Sequence, residues 1–223
     1  MTQHVLTVAR TAHYYLLGTP GPHIRRYWLV CHGYAQLADE FLEAFQPLDD
    51  GATLVVAPEG LNYFYKKGFG GAPGATWMTR QHRVTEIEDY TAYLQQLHET
   101  MLQRLPSEVQ VVLLGFSQGA ATITRWAVRR QPHCHAFVAW AGLLPEDEPY
   151  TRIEEYWTGK KRWFCYGDND PFITQERIEG FQAMLTTHSL VFEKLVFEGG
   201  HEVPEVALRA LEQQAALGSV IPD

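Results

Sequence analysis

The chain has 223 residues, 46% of them hydrophobic and 20% charged, which is enough apolar material for one sizeable core and excludes a disordered composition. Eighteen basic against twenty-six acidic residues leave a formal net charge of −8, so the surface repels phosphate backbones and nucleic acid is not an expected partner. The three cysteines lack metal-ligand or disulfide-framework spacing, the amino terminus lacks the pattern of a signal peptide, and no apolar run reaches a membrane span. The expectation is a cytoplasmic, soluble protein with neither metal nor cofactor.

In chain order, "HYYLLG" and "RRYWLVCHG" predict two strands joined by the turn "TPGPH", expected to form an antiparallel edge. "LADEFLEAF" (37–45) has helical spacing, and "ATLVVAPEG" (52–60) reads as a buried strand. Residues 62–80 mix Gly and Pro with aromatics and show no period. They predict a long loop, a type of segment that is often functional. The clearest helix spans 83–105, with Val84, Ile87, Tyr90, Leu94, Leu97, Met101 and Leu105 at three- and four-residue steps. Strands over 108–116, 161–167 and 190–200, and a strand and loop over 134–145, then alternate with helices over 119–131, 174–187 and 204–217. Thr174 and Pro204 mark two of the helix starts. Alternation of this kind predicts a single α/β domain over 1–223, with a mostly parallel sheet covered by helices on both faces.

Within that pattern, Gly115-Phe116-Ser117-Gln118-Gly119 fits G-x-S-x-G, with a strand running into it and a helix leaving it. This is the context of a nucleophile elbow, in which Ser117 sits on a tight turn and glycines two residues away on either side remove clashing side chains. An ordinary glycine-rich turn is the competing explanation. A serine hydroxyl needs a base, and "EGGHEVPEV" supplies His201 after the last strand. The base needs a carboxylate, and "CYGDNDPFI" offers two. Asp170 is preferred because Pro171 biases it toward an extended conformation, whereas Asp168 after Gly167 suits a turn former bonding its own backbone. The backbone N–H groups of Gln118 and of Tyr34, in "CHGYAQ", are the expected oxyanion donors, with His32 bracing the loop. Tyr63, Phe64, Tyr65, Phe69, Trp77 and Met78 are expected to wall an acyl or aryl pocket. The alternative is that these aromatics simply pack the loop onto the domain.

Taken in order, "VCHGY", "LLGFSQGAA", "YGDNDPFI" and "GGHEV" resemble the α/β-hydrolase superfamily, and within it the small carboxylesterase/phospholipase group that includes the acyl-protein thioesterases. The resemblance implies Ser117 as nucleophile, Asp170 as acid, His201 as base, and Tyr34 and Gln118 as oxyanion donors. It implies a serine hydrolase acting on a small-molecule carboxylic ester or thioester, with a homodimer left open. The acid motif departs from the usual pattern at Tyr166 and at Ile173-Thr174, and residues 59–79 do not match a thioesterase acting on lipidated proteins, which leaves the substrate open. Acyl transfer on the same triad and a non-catalytic hydrolase-fold receptor are the rival readings.

Overall fold

A computed structural model describes residues 1–215. Seven strands form one sheet: β1 (Tyr14–Leu17), β2 (Arg26–Cys31), β3 (Thr53–Pro58), β6 (Gln110–Phe116), β7 (Ala136–Trp140), β8 (Lys161–Gly167) and β9 (Glu193–Phe197). Their order across the sheet is β1-β3-β2-β6-β7-β8-β9. Every pairing is parallel except that of β1 with β3.

The antiparallel edge is thus present, but its partners differ from the expectation, because β3 separates β1 from β2. The burial of the two strands gives the reason. β2 is buried along nearly its whole length, so it needs neighbours and layers on every side, whereas β1 is mostly exposed.

Successive residues of each strand feed two cores. Tyr27, Leu29 and Cys31 of β2 join Val111 and Leu113 of β6 on one face. That face is covered by α2 (Arg83–Leu102), α3 (Gln118–Arg130), α4 (Glu154–Trp157) and α5 (Gln175–Thr187). Trp28 and Val30 join Leu114 and Phe116 on the other face, which is covered by α1 (Ala38–Leu42) and α6 (Glu205–Ala215). The apolar stripe of α2 begins at Ile87 and not at Val84, which is exposed. Thr174 caps α5, its Oγ1 accepting from the Arg177 N–H at 3.4 Å. The predicted end of the last helix, beyond residue 215, lies outside the described residues.

Residues 62–80 are not structureless. β4 (Asn62–Tyr65) and β5 (Pro73–Thr76) pair as an antiparallel hairpin separate from the main sheet. Pro73 hides this strand from a sequence reading, yet a proline is tolerated at the first position of an edge strand. Cys31, Cys134 and Cys165 are buried free thiols. Among the described residues no helix is long and apolar enough to cross a membrane.

Candidate active site

Ser117 lies between the end of β6 and the first residue of α3, with φ 54° and ψ −115°. Such a conformation costs a non-glycine residue about 1–3 kcal/mol and persists only where the surroundings enforce it. They do so here. A Cβ on Gly115 would overlap the Gly119 carbonyl, and a Cβ on Gly119 would overlap the Cys31 carbonyl. The two glycines therefore let α3 press against β6 and β2 at the turn. The Ser117 N–H donates to the Trp140 carbonyl at 2.8 Å, which fixes the turn to β7.

The loops after β8 and β9 bring an acid and an imidazole together. His201 Nδ1 lies 2.7 Å from Asp170 Oδ2; the Asp170 side chain is fully buried and that of His201 is 21% exposed. The other Asp170 oxygen accepts from the Phe172 N–H at 2.8 Å. A carboxylate only accepts, so the Nδ1 that faces it carries a proton, which leaves Nε2 as the ring nitrogen not engaged by the acid. The imidazole also packs against the rings of Phe116 and Phe172, each 4.7 Å away in centroid separation. The Trp140 indole donates to the Glu202 carbonyl at 2.8 Å and so holds the histidine loop.

Asp168 has a different position from the one its sequence context suggested. Instead of closing its own turn, its Oδ1 accepts from the Gly199 N–H at 3.1 Å and from the Asn169 side chain at 2.9 Å. It therefore ties the acid loop to the histidine loop.

The loop after β2 passes against the elbow, since a Cβ on Gly33 would sit 3.1 Å from Ser117 Cβ. The Gly33 N–H donates to Gln36 Oε1 at 2.7 Å and the Ala35 N–H to the Ala75 carbonyl at 2.9 Å. Between them, the Tyr34 N–H has no hydrogen-bond partner among the described residues. Gln118 opens α3, where an N–H has no carbonyl one turn back. His32 is buried. Its Nδ1–H donates to the Gly33 carbonyl at 2.7 Å and its Nε2 accepts from the Gly60 N–H at 3.0 Å. Burial holds its pKa below the ordinary histidine value, so this ring is a neutral brace.

The six aromatic and methionine positions separate into groups. Phe64 is half-buried and stacks on the exposed Tyr34, with centroids 5.0 Å apart. The Tyr63 hydroxyl donates to Glu59 Oε1 at 2.7 Å. Tyr65 and Phe69 are exposed. Trp77 is a core residue, 1% exposed, whose indole donates to the His32 carbonyl at 2.9 Å. It also borders a cavity of about 750 Å³ between the N-terminal segment and α2, but that cavity is lined by none of Ser117, Asp170 and His201. Met78 is half-buried, its sulfur 3.7 Å from Arg125 Nη1.

Three contributions escaped the sequence reading. The Gln118 amide joins the elbow to the hairpin: its Nε2 donates to Thr76 Oγ1 at 3.0 Å and to the Met78 carbonyl at 3.1 Å, and its Oε1 accepts from the Trp77 N–H at 3.2 Å. Glu59 is a buried carboxylate that accepts from the Ala38 N–H at 2.7 Å as well as from Tyr63. Phe172 flanks His201. Only Gln118 carried a signal, its place inside the elbow motif. Among the described residues no group of three or more His, Cys, Asp or Glu side chains could hold a metal ion.

A family model described as "Serine hydrolase (FSH1)" matches residues 29–211. No curated protein sequence matches the chain. Among solved structures, the chain is similar to a carboxylesterase from Mesorhizobium loti at 16% identity and a TM-score of 0.71, over 93% of this chain and 95% of that one. It is also similar to Zea mays acyl-protein thioesterase 2, at 15% identity and a TM-score of 0.67, over 92% and 97%. A third similar structure is esterase PE8, at 19% identity and a TM-score of 0.66, over 92% and 98%. At these identities the likeness extends to the α/β-hydrolase fold.

Proposed function

From the premise that the chain belongs to the FSH1 serine hydrolase family, we propose that it cleaves small carboxylic esters or thioesters through Ser117, His201 and Asp170 by way of an acyl-enzyme. Ser117 Oγ attacks the acyl carbon and its proton passes to His201 Nε2. The oxyanion that forms accepts from the Tyr34 and Gln118 N–H groups. As the tetrahedral intermediate collapses, the bond to the leaving oxygen or sulfur breaks and His201 returns the proton to it. Water, deprotonated by the same imidazole, then attacks the acyl-serine and releases the acid and free Ser117. Asp170 holds the tautomer and stabilises the imidazolium throughout.

The observation that carries this reading is the 2.7 Å His201–Asp170 contact, with the imidazole 4.7 Å from the ring of Phe116, the residue that precedes a serine held at φ 54°. A strained elbow has no structural use in an ordinary turn, but it lifts a hydroxyl clear of the sheet toward a base. Phe64 and Tyr34 are the proposed acyl-side wall, with Tyr63, Tyr65 and Phe69 on the same hairpin, while Trp77 and Met78 support the hairpin from its base. A small ester is the expected partner, and action in the cytoplasm accords with three buried free thiols.

A fluorophosphonate probe and a panel of aryl esters and thioesters test the proposal. The wild-type protein should be labelled at Ser117 and turn over ester, and Ser117→Ala should do neither. Full turnover by Ser117→Ala overturns it. Labelling without hydrolysis, with product formed only on addition of an alcohol or amine acceptor, assigns acyl transfer instead.

A further inference from the structure

We propose that Phe172 is the leaving-group determinant of this site, and that the enzyme prefers esters whose alcohol or thiol portion is aromatic or a medium alkyl chain. The inference rests on the catalytic roles proposed above for Ser117 and His201. Two aromatic rings border the His201 imidazole, and they differ in exposure. Phe116 is 4% exposed and belongs to the core. Phe172 has the same 4.7 Å centroid separation, in an edge-on contact at an interplanar angle of 63°, yet it is 56% exposed.

An exposed phenylalanine is ordinary on a mobile surface, but this one is anchored. Its N–H donates to Asp170 Oδ1 at 2.8 Å and its carbonyl accepts from Arg177 Nη1 at 2.7 Å. The next residue, Ile173, is buried, and its N–H donates to the Asp170 carbonyl at 3.1 Å. The backbone is therefore pinned on both sides of the ring, and the acid loop presents a fixed apolar surface to solvent beside the base.

Chemistry decides which part of the substrate meets that surface. His201 Nε2 must come within hydrogen-bonding reach of the leaving oxygen or sulfur, about 3 Å, to protonate it. Groups attached to that atom then extend past the imidazole, and Phe172 is the exposed ring that borders it. The acyl portion is directed elsewhere, because its carbonyl oxygen accepts from the Tyr34 N–H and the Tyr34 ring stacks on Phe64. Phe172 and the Tyr34–Phe64 pair thus divide the substrate between them, one serving the leaving group and the other the acid.

The test holds the acid constant as butyrate and varies the alcohol through methanol, hexanol, phenol and naphthol, with kcat/KM measured for wild type, Phe172→Ala and Phe172→Leu. Taking each variant as a ratio to wild type on the same ester cancels the intrinsic reactivity of the leaving group. Phe172→Ala should lose about tenfold on the naphthyl and phenyl esters, and no more than about twofold on the methyl ester. Phe172→Leu should recover most of the hexyl activity and less of the aryl activity. An equal loss on all four esters would mean that Phe172 only braces His201, and overturns the inference while leaving the triad intact. Unchanged kcat/KM on all four overturns it too. If the wild-type protein turns over none of them and the fluorophosphonate probe fails to label Ser117, the triad assignment and this inference fall together.

Discussion

His201 Nδ1 meets Asp170 Oδ2 at 2.7 Å, while Asp168, two residues earlier, bonds the Gly199 N–H and not the imidazole. The two acids of one short loop therefore have separable roles. Asp170→Asn should lower kcat by about ten-thousand-fold, because the amide favours the wrong histidine tautomer. Asp168→Asn keeps an oxygen that can accept from Gly199 and should cost no more than about tenfold, the worth of one ordinary hydrogen bond. Steady-state kinetics on a single aryl ester check both. The reverse ranking would reassign the acid.

The Gln118 side chain and backbone also separate experimentally. Gln118→Ala leaves the N–H at the start of α3 in place but removes the amide that bonds Thr76, Trp77 and Met78. Stability should fall by about 1–3 kcal/mol through the unpaired hairpin groups. Labelling of Ser117 should survive. Urea denaturation beside probe labelling reads the two effects independently.

Trp77 and Phe64, both on the hairpin segment, should respond in opposite ways. Trp77→Ala empties a core position and should destabilise by about 3–5 kcal/mol, leaving the preference among acyl chain lengths unchanged. Phe64→Ala should cost less than Trp77→Ala in stability and should shift that preference, because Phe64 stacks on Tyr34. A thermal melt and an acyl-chain series with a fixed leaving group make the comparison.

Acid should weaken the fold through His98. The ring is buried, stacked on Tyr27 and edge-on to Trp126, and burial pushes its pKa down to about 4. The unfolded chain, with an ordinary histidine value of about 6.5, binds more protons between these limits. Stability is then fully present above about pH 6.5 and declines as the pH falls toward 4, by on the order of 3 kcal/mol from this group. His32, His133 and His135 are lowered by burial as well and act in the same direction. Urea midpoints between pH 4 and pH 7 should show a shallower slope for His98→Gln. An identical slope would remove His98 from the account.

The strand–helix alternation, and with it the parallel sheet, is legible in the residues alone, because runs such as "WLVC" and "VVLLG" are apolar on both faces and stay out of water only between two layers. The elbow is legible in the same way, since "GFSQG" places small residues where α3 must approach β2 and β6. The partners of these elements emerge only once the chain is packed. β3 enters between β1 and β2 because strand order depends on which edges stay exposed, which local composition does not encode. Asp168 and Asp170 were distinguishable in sequence only by the bias of one proline, whereas their roles depend on the Gly199 amide and the His201 ring about 30 residues away. Trp77 was indistinguishable from Phe64 in a loop rich in aromatics. One is core and the other borders Tyr34 because the hairpin has a base and a free side, and that asymmetry exists only once β4 and β5 pair and Gln118 fastens the segment after them to α3.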